Sequence, residues 1–234
     1  VGLIPKVTIL PSLANSNACF NPILKFSSQF IMWSEERINK IESKWDRIIF
    51  SDDTIPNDQE VYSTKNYSLS SILENFDLNK SSFVIANGDP INKVKIFDKL
   101  KKYGLKFEKI IDPTAIISHS ANVCEGAIIC QFASVSCSTI IKENAFINRA
   151  AIIGHDVKIG NSACLSPNVV IGGNSSIGSE TFIGTGALIK EKLNIGNNVI
   201  VSMGAVVYKN IEDKLIVVGN PGRVSRKNMG KKIF

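Results

Sequence analysis

The sequence predicts a left-handed parallel β-helix preceded by a small, Rossmann-like α/β domain. Two observations carry that expectation. The second half repeats every six residues without a break, and the first half alternates short apolar strands with helical patterns.

Read in sixes from Ala115, the chain runs AIISHS ANVCEG AIICQF ASVSCS TIIKEN AFINRA AIIGHD VKIGNS ACLSPN VVIGGN SSIGSE TFIGTG ALIKEK LNIGNN VIVSMG AVVYKN. These sixteen hexads end at Asn210 with no insertion or deletion. Their third position is always Ile, Val or Leu, from Ile117 through Ile153 and Ile171 to Val207. The fourth is mostly small, as at Gly154, Gly160, Gly172, Gly178 and Gly184. A period of six suits neither an amphipathic helix nor an alternating strand. It suits a coil of three short faces, with the third-position aliphatic inside and small residues turning the corners. Coils stack at about 4.8 Å, and each buries its aliphatics only against its neighbours. The six-residue period marks the left-handed version, an exception to right-handed crossover.

Before the repeat, Ile23–Phe26, Arg47–Phe50 and Phe83–Ala86 read as strands. Ser34–Lys44 reads as a helix with Ser34 as N-cap, as do Ser68–Phe76 and Asn92–Gly104, the last stopped by Gly104. The first twenty residues read as an extension or first strand. Strands alternating with helices predict a parallel sheet, whose ligands sit beyond the carboxyl ends of its strands. Ser51–Asp53 and Asn87–Asp89 fall at such ends. Asp112–Thr114 reads as the joint. The expected organisation is an α/β domain over 1–111, the β-helix over 112–212, and a closing loop with a basic tail over 213–234.

The chain has 234 residues, with 27 Lys and Arg against 21 Asp and Glu, a net charge of +6. That balance suits anionic small ligands such as nucleotides or coenzyme A, and equally an ordinary basic surface. The basic residues are scattered and not interleaved with aromatics, which argues against nucleic acid. Five cysteines without a C-x-x-C pair argue against a disulfide framework or zinc ribbon, and a reducing cytoplasm is the expected setting. No apolar run is long enough for a membrane span, and the N-terminal stretch, broken by Pro5 and Pro11, is a poor secretion signal. A solenoid can also be a scaffold or an ice-binding surface. The absence of a regular Thr ladder argues against ice binding.

One segment stands out from the monotony, INRAAIIGHDVKIG over Ile147–Gly160, where His155 is followed at once by Asp156. Together with IDPTAIISHSANV, SPNVVIGG, TFIGTGALI, GAVVYKNI and VVGNPGRV, it resembles the bacterial hexapeptide-repeat acetyltransferases of amino sugars and sialic acids. The resemblance spans roughly residues 83–225. It implies a homotrimer, a small α/β domain that binds the sugar, often through its nucleotide, and acetyl-CoA in the groove between subunits, with no metal. It implies His155 as general base, Asp156 as its orienting partner, and Asn148 beside the reacting group. It implies Cys164, Gly173, Thr185, Ser202, Met203 and Gly204 as coenzyme contacts, and Asp52, Asp53 and Gly88 near the acceptor's nucleotide. Arg223, Arg226 and Lys227 suit either the coenzyme phosphates or a solvated tail. The expected activity is acetyl-CoA-dependent N-acetylation of an amino sugar by direct transfer in a ternary complex. O-acetylation of a sialic-acid-like sugar and a non-catalytic trimeric scaffold stay open as alternatives.

Two positions depart from that family. Cys164 stands where relatives carry a His at the acetyl end. The stretch Phe26–Glu36, taken to correspond to the family's glycine-rich turn, has no glycine, and Phe30, Met32 and Trp33 would block close backbone approach to a phosphate. His119, at the same hexad position as His155 but two coils earlier, reads as surface. Two histidines are too few for the three-His zinc site of the carbonic anhydrases with this fold.

Overall fold

The computed structural model describes residues 6–10, 48–52, 55–61 and 64–230. The expected strand Ile23–Phe26, the expected helix Ser34–Lys44 and Asp53 lie outside them. The α/β part is a parallel sheet in the order β2-β1-β5-β6, built from β1 (Lys6–Leu10), β2 (Ile48–Phe50), β5 (Ser81–Ile85) and β6 (Lys106–Phe107). Between β2 and β5 come a small hairpin of β3 (Glu60–Val61) and β4 (Thr64–Lys65), and α1 (Leu69–Asn75). The stretch Phe26–Glu36, taken to correspond to the glycine-rich turn, also lies outside the described residues.

Helix α2 (Pro90–Lys101) starts two residues before the sequence pattern suggests. Asp89 is the reason: its carboxylate accepts from the N–H of Ile91 at 2.9 Å, and Pro90 needs no partner at the first helical position. Ile72, Ile96, Phe97 and Leu100 bury against Ile49, Phe83 and Ile85 to form this domain's core.

From Ile110 the chain winds into a left-handed β-helix with three parallel faces. The first face begins at Ile110–Ile111 and continues through Phe146–Ile147 to Ile200–Val201. The second runs from Ile116–Ile117 to Val206–Val207, and the third from Asn122–Val123 to Asn194–Ile195. Residues eighteen apart pair, as Ile153 does with Val135 and Ile171. First- and third-position residues, such as Ala151, Ile153, Val157 and Ile159, fill the interior.

The corners work differently from the expectation that fourth-position small residues turn the chain. The left-handed backbone falls on the sixth position, at Ser138, Asn144, Ala150, Asp156, Ser162, Asn168 and onward, with φ of 54–58° at these six. Asn and Asp tolerate that region, whereas Ala150 occupies it at a cost. The fourth-position glycines are small for another reason. A Cβ on Gly154 would stand 2.6 Å from the backbone nitrogen of Gly173, and one on Gly172 would stand 2.4 Å from that of Glu191. The next coil's backbone occupies that space.

Second-position residues point outward and give each face its character. On the first face Ile110, Ile128, Phe146, Cys164 and Phe182 are buried against Phe50, Val84 and Ala86 of the α/β domain. The third face carries Asn122, Ile140, Lys158, Ser176 and Asn194 and meets solvent. The second face carries Ile116, Ser134, Ile152, Val170, Leu188 and Val206 in successive coils, and this largely apolar strip is open among the described residues, with Ile116 73%, Ile152 50% and Leu188 41% exposed.

At the joint, Lys93 of α2 is fully buried and donates from Nζ to the carbonyl of Ile85 at 2.8 Å, 5.9 Å from the Phe146 ring centroid. Burial pulls its ammonium down from 10.5 to about 8, against the opposing influence of Cys164 and Cys130. Burial also pushes the Cys164 thiol up from 9.0 to about 12, and the Cys130 thiol beyond the usual thiol range. Between pH 8 and 10.5 the unfolded chain holds the lysine proton that the folded chain has released, so this group adds stability as pH rises. Above pH 9.0 the unfolded thiols lose protons that the buried ones keep, which removes stability. Denaturant titrations from pH 7 to 10.5 are expected to show a stability maximum near pH 9. Lys93→Met should abolish the rising limb and leave only the decline; the lysine's desolvation accounts for about 3 kcal/mol below pH 8.

Candidate active site

His155 and Asp156 occupy the corner between the second and third faces. Asp156 takes the left-handed sixth position, with φ 57°, and its N–H donates to the carbonyl of Cys137 one coil below at 2.9 Å. That geometry turns its carboxylate back on the preceding residue. Oδ2 lies 2.7 Å from Nδ1 of His155, with the two side chains 54% and 51% exposed. An ionised carboxylate only accepts, so Nδ1 carries the hydrogen and Nε2 presents a lone pair.

Gly173 sits one coil above His155. A Cβ there would lie 2.6 Å from Nε2 and 2.9 Å from Cδ2 of the imidazole. Its lack of a side chain therefore leaves room for the imidazole, which lies against its backbone. One coil below, buried Thr139 donates from Oγ1 to the carbonyl of Gly154 at 2.8 Å and pins the peptide that leads into His155. Thr139 was not singled out from the sequence. Its signal is a hydroxyl at a first hexad position, shared with Ser175 and Thr181, whose hydroxyls make the same bond to Lys190 and Gly196. The column His119, Cys137, His155, Gly173 follows the pairing register, and His119 is exposed two coils below.

Asn148 stands on a different corner, between the first and second faces. It is buried, and its Oδ1 accepts from the N–H of Arg149 at 2.8 Å. Thr185, Ser202, Met203 and Gly204 follow on the same corner, two and three coils higher, where the N–H of Gly204 donates to the carbonyl of Thr185 at 2.9 Å. Within one chain the predicted residues thus split between the two edges of the second face. His155, Asp156 and Gly173 line one edge; Asn148 and the other coenzyme candidates line the opposite one. Cys164 joins neither group. It lies on the first face at the joint, 2% exposed, in the surroundings of Lys93.

Asp52 and Gly88 lie beyond the carboxyl ends of β2 and β5, which flank β1 on either side. The Asp52 turn is held by Asn66, a fully buried residue that the sequence did not mark. Its Oδ1 accepts from the Asp52 N–H at 2.8 Å, and its Nδ2 donates to the carbonyls of Ile55 at 2.8 Å and Asp52 at 3.1 Å. Gly88 is buried in a turn closed by Asn87, whose Oδ1 accepts from the Asp89 N–H at 2.8 Å.

With this geometry in place, comparison with known proteins is informative. The bacterial transferase hexapeptide profile, covering six repeats, matches residues 138–173, the stretch that contains Asn148, His155 and Asp156. No curated protein matches the sequence. Among solved structures, the acetyltransferase domain of PglB from Neisseria gonorrhoeae superposes with a TM-score of 0.82 at 24% identity, over 94% of this chain and 99% of that one. The same domain in complex with acetyl coenzyme A gives 0.67 at 21%, over 95% and 100%. A mutant of perosamine N-acetyltransferase from Caulobacter crescentus, in complex with CoA and GDP-perosamine, gives 0.78 at 20%, over 96% and 98%. Residues 138–173 carry bacterial transferase hexapeptide repeats, and the described residues have the left-handed β-helix fold of these structures.

A side chain at position 173 should displace the imidazole. In Gly173→Ala, the ring resonances of His155 are expected to shift in heteronuclear NMR, with the circular dichroism of the β-helix unchanged; unchanged ring resonances would contradict the contact.

Proposed function

We propose that this protein is a homotrimeric acetyltransferase that moves the acetyl group of acetyl-CoA onto the amine of a sugar, with His155 as general base. The observation that carries the reading is the His155–Asp156 pair at an exposed corner: a tautomer fixed at Nδ1 by the 2.7 Å contact, and an imidazole whose Nε2 edge lies against Gly173. An amine nitrogen attacks the thioester carbonyl carbon while Nε2 takes its proton. The tetrahedral adduct collapses, the C–S bond breaks, and the imidazolium returns the proton to the departing thiolate. Asp156 stabilises the imidazolium in between. The products are the sugar amide and CoA. A neutral imidazole is suited to take a proton from an attacking amine.

Two further observations support the coenzyme and the assembly. Structures with the same fold were solved holding CoA or acetyl-CoA, one of them with a nucleotide-linked amino sugar as well. The second face is an uncovered apolar strip bounded by the two edges that divide the site residues. Three such prisms arranged about a threefold axis on that face bring the His155 edge of each against the Asn148 edge of the next. The division seen in one chain then closes, and Asn148 of the partner subunit stands beside His155 across a groove lined by Gly173, Thr185, Ser202, Met203 and Gly204. The acceptor enters from the sheet's carboxyl edge, where Asp52 and Gly88 meet its nucleotide, with Asp53 next to Asp52 in sequence.

Incubation with acetyl-CoA and a panel of nucleotide-linked amino sugars and free sialic acid, followed by CoA release, tests the reaction. His155→Ala is expected to lose about 10²–10⁴-fold in turnover. No CoA release with any acceptor of the panel, or full activity in that variant, would rule out His155 catalysis. Leu188→Asp, on the uncovered face, should convert a species of three chain masses in gel filtration to one and abolish turnover. Trimeric behaviour in that variant would rule out this face as the interface.

A further inference from the structure

Phe132 is a bulky apolar side chain in a place that suits neither its size nor its backbone. It fills a sixth hexad position with φ 57°, in the left-handed region, and it is 64% exposed. A bulky residue in that region is an outlier, whereas Gly, Asn and Asp adopt it readily. The corner itself asks for no ring. The same position in the coils above holds Ala150, Asn168, Gly186 and Gly204. The backbone is also secured without the ring, since the Phe132 N–H donates to Oγ1 of Thr114, one coil below, at 3.2 Å. Neither turning the corner nor filling the core accounts for a phenylalanine here. Strain held at an exposed side chain points instead to a contact made outside the core.

The position narrows what that contact is. Two residues earlier, Cys130 belongs to the cluster that joins the β-helix to Val84 and Ala86 of the sheet. Two residues later, Ser134 stands on the open second face between Ile116 and Ile152. Phe132 is therefore where the chain passes from the covered face to the open one, one coil below Asn148 and Ala150 on the same corner. On the reading above, the coenzyme candidates Thr185, Ser202, Met203 and Gly204 climb from Asn148 towards the C-terminal coils. An acceptor held at the sheet's carboxyl edge then reaches Asn148 from the N-terminal side, the side that carries Phe132.

A sugar ring bears hydroxyls on its rim and C–H bonds on its faces. An exposed aromatic ring offers such a face a flat apolar surface, and its negative π-face attracts the polarised C–H hydrogens. We propose that Phe132 is the platform on which the acceptor's sugar ring lies, holding the ring while its amine reaches the level of Asn148. The proposal rests on the acetyltransferase reading above and concerns the binding of the acceptor.

Phe132→Asn separates a binding role from a structural one, because Asn removes the ring and tolerates the left-handed backbone better than Phe does. Steady-state kinetics of wild type, Phe132→Asn and Phe132→Tyr would be measured with the best acceptor of the panel, alongside melting temperature and gel filtration. In Phe132→Asn the acceptor KM is expected to rise about 10-fold. Its KM for acetyl-CoA and its oligomeric mass should match wild type, and its melting temperature should be equal or higher. Phe132→Tyr, which keeps the ring, should restore most of the loss. An unchanged acceptor KM in Phe132→Asn would overturn the proposal alone. So would a smaller mass in gel filtration, which would make Phe132 a subunit contact, or a lower melting temperature, which would make it a packing residue. A wild type that turns over no acceptor would overturn the acetyltransferase reading and this proposal with it.

Discussion

Successive coils of the β-helix lie so close that a methyl group on Gly154 would collide with the backbone of Gly173, and most of the site follows from that contact. Backbone hydrogen bonds between coils set the spacing, and the fourth hexad position has no room for a side chain wherever the next coil's corner comes nearest. The same closeness lets Gly173 serve His155. The imidazole lies against the coil above because that coil has nothing beyond its backbone at that point. A spacing required for folding thus gives the imidazole its place against the coil above. The left-handed sixth position contributes in the same way. It is needed to turn the corner, and at residue 156 it is filled by an Asp, which tolerates that backbone and whose carboxylate reaches His155.

The sequence made the solenoid legible because its signal is repeated in every hexad. The invariant third-position aliphatics fix the register, and the register fixes which residues stack. It revealed the His155–Asp156 pair for the same reason, since any polar departure from a monotonous repeat is visible. The cause of the turn was misassigned to the fourth position, because small residues there look like corner residues. The true corner residues include Ala150, Glu180 and Lys192, which no composition rule selects. Thr139 and Asn66 were invisible for a different reason. Each acts through one side chain bonded to a distant carbonyl, fifteen residues on for Thr139 and ten to fourteen back for Asn66. Such contacts leave no period in the chain.

The joint between the two parts explains why Cys164 stands apart from the other predicted residues. The first face of the β-helix must be apolar to seat the sheet, and Ile110, Ile128, Phe146, Cys164 and Phe182 supply that surface in consecutive coils. A cysteine behaves there as a small hydrophobe. Lys93 is the exception in this surface. It gives one hydrogen bond to Ile85 and is otherwise surrounded by apolar groups, so its charge is carried at a cost in stability. What it supplies in return is attachment: its stem and its bond tie the first turn of α2 to the end of β5, the segment that contains Asn87, Gly88 and Asp89. The backbone that presents Asn87 to the joint is thereby held from both ends, by Asp89 as helix cap and by Lys93 from beneath.

A division of labour among the three faces follows from the second hexad position alone. One face is apolar and covered by the α/β domain, one is mostly polar and faces water, and one is largely apolar and open among the described residues. Because the third face is polar, a second copy of the chain has one apolar surface to meet, and that surface is bordered by both sets of site residues. On the reading proposed above, a single chain holds His155 without the groups that would bind substrates beside it. The strip that would favour association would also determine which edges meet. Assembly and catalysis are then inseparable in that reading, since the apolar residues between Asn148 and His155 keep the two apart within one subunit.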